Sequence, residues 1–281
     1  MDEMKVVVTH DPQTFAHHAG GFLERLPVEH NVLATVLATL DRSESESAPL
    51  FAWVEAGEDG EVSAAALRTP PRRLLASTMS ADSADALMPR LLELDPGLPG
   101  VNGPEPAATH LADAWRQYTG GTVEPGMSQG VYTLSHVEEP RDQPGGHARL
   151  AVRDDRGLLV EWHCAFHSEV GERGADIESH VDRRLADAEL LVWDDERVVS
   201  MVGAFPPVSR VVRLGPVYTP SDLRRHGYAT ALVAETSRRA LATDAESCML
   251  YTDLANPISN SIYQAVGYRR SNNAQQYLFT R

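Results

Sequence analysis

The apolar positions of this chain fall into runs with a period of two and runs with a helical period, separated by polar, Gly- and Pro-bearing breaks. That mixture predicts an α/β chain. In the first half, a strand at Val6 to Thr9 precedes helical patterns at Phe15 to Leu26 and Asn31 to Leu40. Arg42 to Ser47 is a polar run expected to be a solvated loop. Phe51 to Glu55 and Val62 to Leu67 predict a hairpin around Glu58-Asp59-Gly60. Arg73 to Met79 predicts a strand, Asp82 to Leu94 a helix, Pro99 to Gly103 a short strand with a turn, Ala107 to Tyr118 a helix, and Gln129 to Leu134 a strand.

Glu139 to Gly146 contains two Pro and two Gly and is the best linker candidate. It divides the chain into 1–138, a linker at 139–146, and 147–281. Beyond it, Ala148 to Val152 predicts a strand, and Gly157 to Val170 and Ile177 to Leu185 predict helices. Leu190 to Trp193 and Val198 to Phe205 predict a hairpin turning at Asp194-Asp195-Glu196. A strand at Val211 to Thr219 then ends in a turn at Pro220-Ser221-Asp222.

The segment that follows carries chemistry. Arg224-Arg225-His226-Gly227-Tyr228-Ala229 leads into a helix whose inward face is Ala229, Leu232, Val233, Thr236 and Ala240. A helix start presents N–H groups without intrahelical partners, and the helix dipole adds partial positive charge there. Gly227 lets an anion approach the backbone without meeting a Cβ. This arrangement points to a ligand with a diphosphate. A second block begins with a strand at Cys248 to Asp253. Asn256 then caps a helix with Pro257 at its first position, and Gly267 suits a left-handed C-terminal cap.

Arg224, Gly227 and Ala229 resemble the R/Q-x-x-G-x-G/A signature of the GNAT superfamily of N-acetyltransferases. Asn256, Tyr263, Gly267 and Tyr268 resemble the family's N-(x6)-Y-(x3)-G-[FY] element, which follows the fifth strand. Either block alone also suits an ordinary βα connection; the pair, in order and in context, carries the resemblance. A dinucleotide fold fits less well, because no G-x-G-x-x-G follows a predicted strand.

The resemblance implies an α/β (α+β) chain of two GNAT-like domains, each a mixed, mostly antiparallel sheet flanked by helices. In the C-terminal copy, the fourth and fifth strands are splayed. The first half parallels the same element order but runs Ser80-Ala81-Asp82-Ser83 where the signature would stand. It is therefore expected to be a degenerate copy without a phosphate loop, with an unrelated α/β domain as the competing reading.

The implied activity is acetyl-CoA-dependent N-acetyl transfer to a primary amine of a small molecule or peptide by direct attack. By position, Val217, Tyr218 and Thr219 would bind the pantetheine arm, and Gly215-Pro216 is placed to supply the bulge behind the splay. The diphosphate would meet Arg225, His226, Gly227, Tyr228, Ala229 and Thr230, with Arg224 or Arg225 adding charge-assisted contacts. Asn256 would cap its helix and contact the coenzyme, with a pure capping role as its alternative.

Tyr263 is the implied general acid; its alternative is a packed aromatic whose hydroxyl only hydrogen-bonds. The general base stays open among Glu161, His163, His167, Glu169 and Asp253. A different class of function is a non-catalytic acyl-CoA-binding sensory or scaffolding module. The first half would shape the acceptor pocket or a dimer interface, which leaves a homodimer open.

Composition narrows the partners. Twenty-five Lys and Arg against 40 Asp and Glu give a net charge of −15, which argues against nucleic acid and anionic membranes. That acidity fits a cationic amine, although it also serves solubility alone. Lys5 is the sole lysine, an arginine bias to which no function is attached. His163 and His167 stand four apart, but the helix lacks the H-E-x-x-H glutamate and a third ligand, so no metal is expected. Cys164 and Cys248 lie in apolar patterns and are expected to be buried thiols in a reducing compartment. No apolar run approaches ~18 residues, and Met1 to Lys5 lacks a signal-peptide pattern. The expected location is cytoplasmic.

Overall fold

The structure is a computed structural model that describes residues 4–40, 48–57, 59–140, 143–171 and 176–281. The polar run at Arg42 to Ser47, Glu58 of the first hairpin, and Arg141-Asp142 of the linker lie outside the described residues. The chain forms two compact units: Met1–Val131 with Asp253–Ala255 and Ser271–Arg281, and Tyr132–Thr252 with Asn256–Arg270.

The N-terminal unit contains β1 (Lys5–Thr9), α1 (Pro12–Glu24), α2 (Asn31–Thr39), β2 (Leu50–Ala56), β3 (Glu61–Arg68), β4 (Leu74–Ala76), α3 (Ala81–Leu94), β5 (Gly100–Pro104) and α4 (Glu105–Thr119). Most of β6 (Thr122–Leu134) also belongs here. Asp11 starts α1 by accepting the Gln13 and Thr14 N–H groups, with Pro12 at the first helical position. The strands β1, β2, β3 and β4 pair antiparallel in sequence, and β4 pairs parallel with β5.

Period-two burial puts both faces of this sheet to use. Leu50, Ala52 and Val54 of β2 join a core with α3 and α4, while Phe51 and Trp53 join Phe15, Leu23 and Leu33 on the other side. Helices therefore cover both faces.

The C-terminal unit repeats that plan with β7 (His147–Leu150), α5 (Arg156–Glu169), α6 (Ile177–Ala186), β8 (Leu190–Asp194), β9 (Val198–Ala204), β10 (Val211–Tyr218), α7 (Tyr228–Leu241), β11 (Ser247–Asp253) and α8 (Pro257–Val266). Here too, three antiparallel pairings lead to one parallel pairing, between β10 and β11. Leu190 and Val192 of β8 pack with Leu159, Trp162 and Val181 of α5 and α6, and Leu191 and Trp193 face the core that holds α7 and α8. The mixed, mostly antiparallel sheets flanked by helices match the expected fold class in both halves.

Three details depart from the sequence reading. The last strand, β12 (Arg269–Thr280), carries no apolar alternation over its first half, which reads Arg-Arg-Ser-Asn-Asn, and so was not predicted. It pairs antiparallel with β5, from Ala274 opposite Pro104 to Leu278 opposite Gly100. Residues 271–281 thus belong to the N-terminal unit, whereas the division at 147 assigned them to the second domain. Residues 132–139, ahead of the expected boundary, lie in the C-terminal unit, where Glu138 N–H donates to Val266 C=O at 2.8 Å. Finally, Cys248 is buried as expected but Cys164 is exposed, because Leu159, Trp162 and His163 form the inward face of α5 and position 164 lies off it.

Phe279 of β12 stacks on the buried Trp115 of α4, with ring centroids 4.5 Å apart. Phe279→Ala is expected to destabilise the N-terminal unit by about 3 kcal/mol, measured as a lowered urea midpoint in the transition reported by Trp115 fluorescence.

Candidate functional site

The start of α7 is a set of backbone donors without acceptors. Gly227 is its N-cap at φ +83°, a left-handed conformation that glycine adopts without strain, and it offers no capping side chain. The first intrahelical bond runs from Ala231 N–H to Gly227 C=O at 3.0 Å. The N–H groups of Tyr228, Ala229 and Thr230 precede it and have no backbone acceptor among the described residues. A neighbouring ring anchors the turn. Tyr228 donates its hydroxyl to Asp195 Oδ2 at 2.8 Å, and its ring stacks on His226. Trp193 Nε1 donates to Gly145 C=O at 2.8 Å, so the end of the expected linker is docked beside this turn rather than free.

The adjacent strand is interrupted. β10 pairs with β11 only from Val211 to Arg213, although both strands run on. On its other edge β10 pairs with β9 at Leu214–Ala204 and Val217–Val202, with a register shift between. Two residues of β10 there stand against one of β9, a bulge at Gly215-Pro216, where Pro216 has no N–H to give. The bulge lies where the sequence placed it. Beyond it, the β11-facing edge of β10 at Val217 and Tyr218 is left without a strand partner among the described residues.

Arg224 does not stand free beside the cradle. Its Nη2 donates to both carboxylate oxygens of Glu169 at 2.7 and 2.9 Å, its Nε donates to Thr219 C=O at 2.9 Å, and its guanidinium lies over the Tyr218 ring. Thr219 also shares a hydrogen bond with Ser200 at 2.8 Å. Arg224 therefore ties the C-terminus of α5 to the end of β10, and Arg225 is exposed with φ +67°. Glu169 and Asp195, the partners of these groups, were not assigned these roles from sequence. Each is far along the chain from the residue it holds, so no local pattern marks it.

The proposed bases separate by environment. Glu169 is occupied by Arg224, and Glu161 is exposed on α5. His163 is 1% exposed; its Nδ1 donates to Leu159 C=O at 2.8 Å, and Nε2 lacks a partner among the described residues. Burial, with a smaller contribution from the nearby cations of Arg184 and His167, pulls His163 down to about 4. His167 is partly buried, and its Nδ1 has no hydrogen-bond partner among the described residues. Asp253 belongs to the N-terminal unit, where its Oδ1 accepts the Ala255 N–H at 2.9 Å.

In α8, Asn256 Oδ1 accepts the Ser259 N–H at 3.1 Å, so its side chain is engaged as the cap. Gly267 ends the helix in the left-handed region. Tyr263 is 8% exposed in the core shared with Leu232 and Val233 of α7, edge-on to Tyr268. Burial pushes its phenol up to about 12. No group of three or more His, Cys, Asp or Glu side chains is placed to hold a metal among the described residues. Nor is any of their helices long and apolar enough to cross a membrane.

The corresponding place in the N-terminal unit is closed. Ser80 caps α3 and accepts the Ser83 N–H at 3.1 Å. The Thr78 N–H just before it donates to Nε2 of the buried His30 at 3.1 Å. Gly103 of β5 lies so near β4 that a Cβ there would fall 2.9 Å from the Ala76 carbonyl oxygen. Here one first-turn donor of α3 is taken by Ser80 and the Thr78 N–H by His30, and β5 runs close against β4.

Residues 143–268 match the Acetyltransferase (GNAT) family. No curated protein matches the chain. Among solved structures, an acetyltransferase from the GNAT family from Colwellia psychrerythraea is similar over 99% of this chain and 100% of its own, with 9% identity and TM-score 0.62. A GCN5-related N-acetyltransferase from Sphaerobacter thermophilus is similar over 98% and 95%, with 16% identity and TM-score 0.64. A tandem GNAT protein from the clavulanic acid biosynthesis pathway covers 99% and 98%, with 11% identity and TM-score 0.55. These likenesses are of fold, and they extend through the N-terminal half.

His163 sets a pH dependence. The unfolded imidazole takes a proton near 6.5 and the folded one only near 4, so between those values the unfolded state binds the extra proton. Stability is full above pH 6.5 and falls as pH drops toward 4, by of order 3 kcal/mol from this residue. Urea denaturation of His163→Met at pH 7 and pH 4 is expected to show a correspondingly shallower loss than wild type.

Proposed function

We propose, from the premise that residues 143–268 form a GNAT-family acetyltransferase domain, that this chain transfers the acetyl group of acetyl-CoA to a primary amine of a small molecule or peptide. The observation that carries the reading is the set of acceptor-free N–H groups at Tyr228, Ala229 and Thr230, beside a β10 edge that has parted from β11. Acetyl-CoA supplies the activated acetyl thioester. Three backbone donors at a helix start neutralise a diphosphate, and the glycine cap lets its oxygens approach. The free edge of β10 at Val217 and Tyr218 offers sheet-like hydrogen bonds to an extended amide-bearing arm. Because Arg224 is already neutralised by Glu169, the anion is held chiefly by backbone rather than by a free guanidinium.

Tyr263 is the proposed general acid. Its phenol keeps its proton to about 12, so at neutral pH Oη is always able to donate to the departing sulfur. Direct attack by the neutral amine then requires only that a base or water take the amine's proton. Glu161 and His167 are the α5 candidates that remain outside both the core and the Arg224 ion pair.

Thiol release from acetyl-CoA, followed across a panel of polyamines, amino acids, aminoglycosides and peptides, tests the activity. Tyr263→Phe is expected to lower kcat by about 10²-fold while leaving acetyl-CoA affinity within a factor of two or so of wild type by calorimetry. Heat on binding with no thiol release for any amine would defeat the catalytic reading, and an unchanged kcat in Tyr263→Phe would remove that residue from it.

A further inference from the structure

The bulge that turns β10 away from β11 leaves the Gly215 carbonyl out of the regular ladder, and a buried cation takes it. Arg184, near the end of α6, is 0% exposed and donates from Nη1 to Gly215 C=O at 2.9 Å. A guanidinium in the core is costly unless its position is fixed by partners, and here several fix it. Glu189 Oε2 accepts from Arg184 Nε at 3.0 Å, and Glu189 is itself buried. The backbone holds that carboxylate in turn: Glu189 N–H donates to Arg184 C=O, and Glu189 C=O accepts the Ala204 N–H of β9. The guanidinium carbon lies 4.2 Å from the centre of the Phe205 ring, and that of Arg213 lies 3.8 Å from the same centre. Two guanidiniums can approach one ring centre so closely only from opposite faces.

Space for this arrangement is made by one residue. A Cβ on Gly203 of β9 would fall 2.3 Å from Arg184 Nη2, 2.5 Å from Nη1 and 2.5 Å from the Gly215 oxygen. Gly203 therefore leaves open the volume through which the arginine reaches the bulge. Arg213, on the other side of the ring, is the last residue of β10 paired with β11. The cation–ring–cation stack stands where the two strands part.

We infer that Arg184 is a positioning residue: by bonding the Gly215 carbonyl through the gap at Gly203, it fixes the β10 bulge and so keeps the β10 edge at Val217 and Tyr218 open for the pantetheine arm. The ligand part of this inference rests on the proposed seating of acetyl-CoA; the bulge part does not. Arg184 touches the strand behind the site rather than the reacting atoms, and its influence on ligand passes through Gly215.

The test uses the full chain with Arg184→Met combined with Glu189→Gln, so that no buried carboxylate is left unpaired, and Gly203→Ala as a second, independent perturbation. Amide exchange of the ligand-free proteins is followed by mass spectrometry. Both variants are expected to exchange at least tenfold faster across 214–218, while peptides from β8 and α7 keep their wild-type rates. Unchanged rates at 214–218, or the same rise throughout the C-terminal unit, would overturn the clamp. In parallel, acetyl-CoA and 3′,5′-ADP, which lacks the arm, are titrated. The clamp predicts acetyl-CoA binding weakened about tenfold or more with 3′,5′-ADP unchanged; equal weakening of both would overturn the arm-specific role. If wild type binds neither, the functional reading fails, and the exchange data still decide the bulge.

Discussion

A backbone N–H with no acceptor inside the protein is the constraint on which the C-terminal unit turns. Folded chains pair nearly all such groups, yet this unit leaves two sets without a backbone partner among the described residues. One is the first turn of α7, where Gly227 starts the helix without a capping oxygen. The other is the β11-facing edge of β10 beyond Arg213. Both exist because of glycine-dependent geometry: a left-handed residue at one, a Gly-Pro bulge at the other. Together they form an array of donors and acceptors that fits an extended ligand with an anionic group at one end.

The N-terminal unit shows the same plan with a side chain capping the helix start. Its strand order and its parallel β4–β5 pairing repeat those of the C-terminal unit. At the turn after β4, however, Ser80 replaces the glycine cap and occupies a helix amide itself. Burial lowers the pKa of His30, against the hydrogen bond to the Leu23 carbonyl that raises it, and with Nδ1 on that carbonyl Nε2 accepts the Thr78 N–H. Gly103 brings β5 against Ala76 instead of letting the strands part. The architecture survives where a serine side chain caps the helix in place of the glycine.

Much of this was legible from sequence because it is local. The helix and strand periods located nearly every element, and the caps at Asn256, Gly227 and Gly267 were readable as residue types in place. The bulge followed from Gly215-Pro216, since proline cannot serve a ladder. What escaped was long-range. β12 begins with five polar residues and owes its strand conformation to its place between β5 and β6 in the sheet rather than to its own pattern. Arg224 was read as a free cation for phosphate because nothing near it announces Glu169, 55 residues earlier. No local pattern marks Arg184, and only the packing around Gly203 and Phe205 reveals it as buried. Ion pairs between distant elements leave no periodic trace.

The central claim is that the glycine-capped start of α7 takes an anion and the serine-capped start of α3 does not. Amide chemical shifts followed by ¹⁵N NMR during a titration with coenzyme A test it most directly. The account predicts large, saturable shifts at Tyr228, Ala229 and Thr230 and none at Ala81 or Asp82, which open α3. Shifts at the start of α3, or a saturated complex in which the α7 amides do not move, would contradict it.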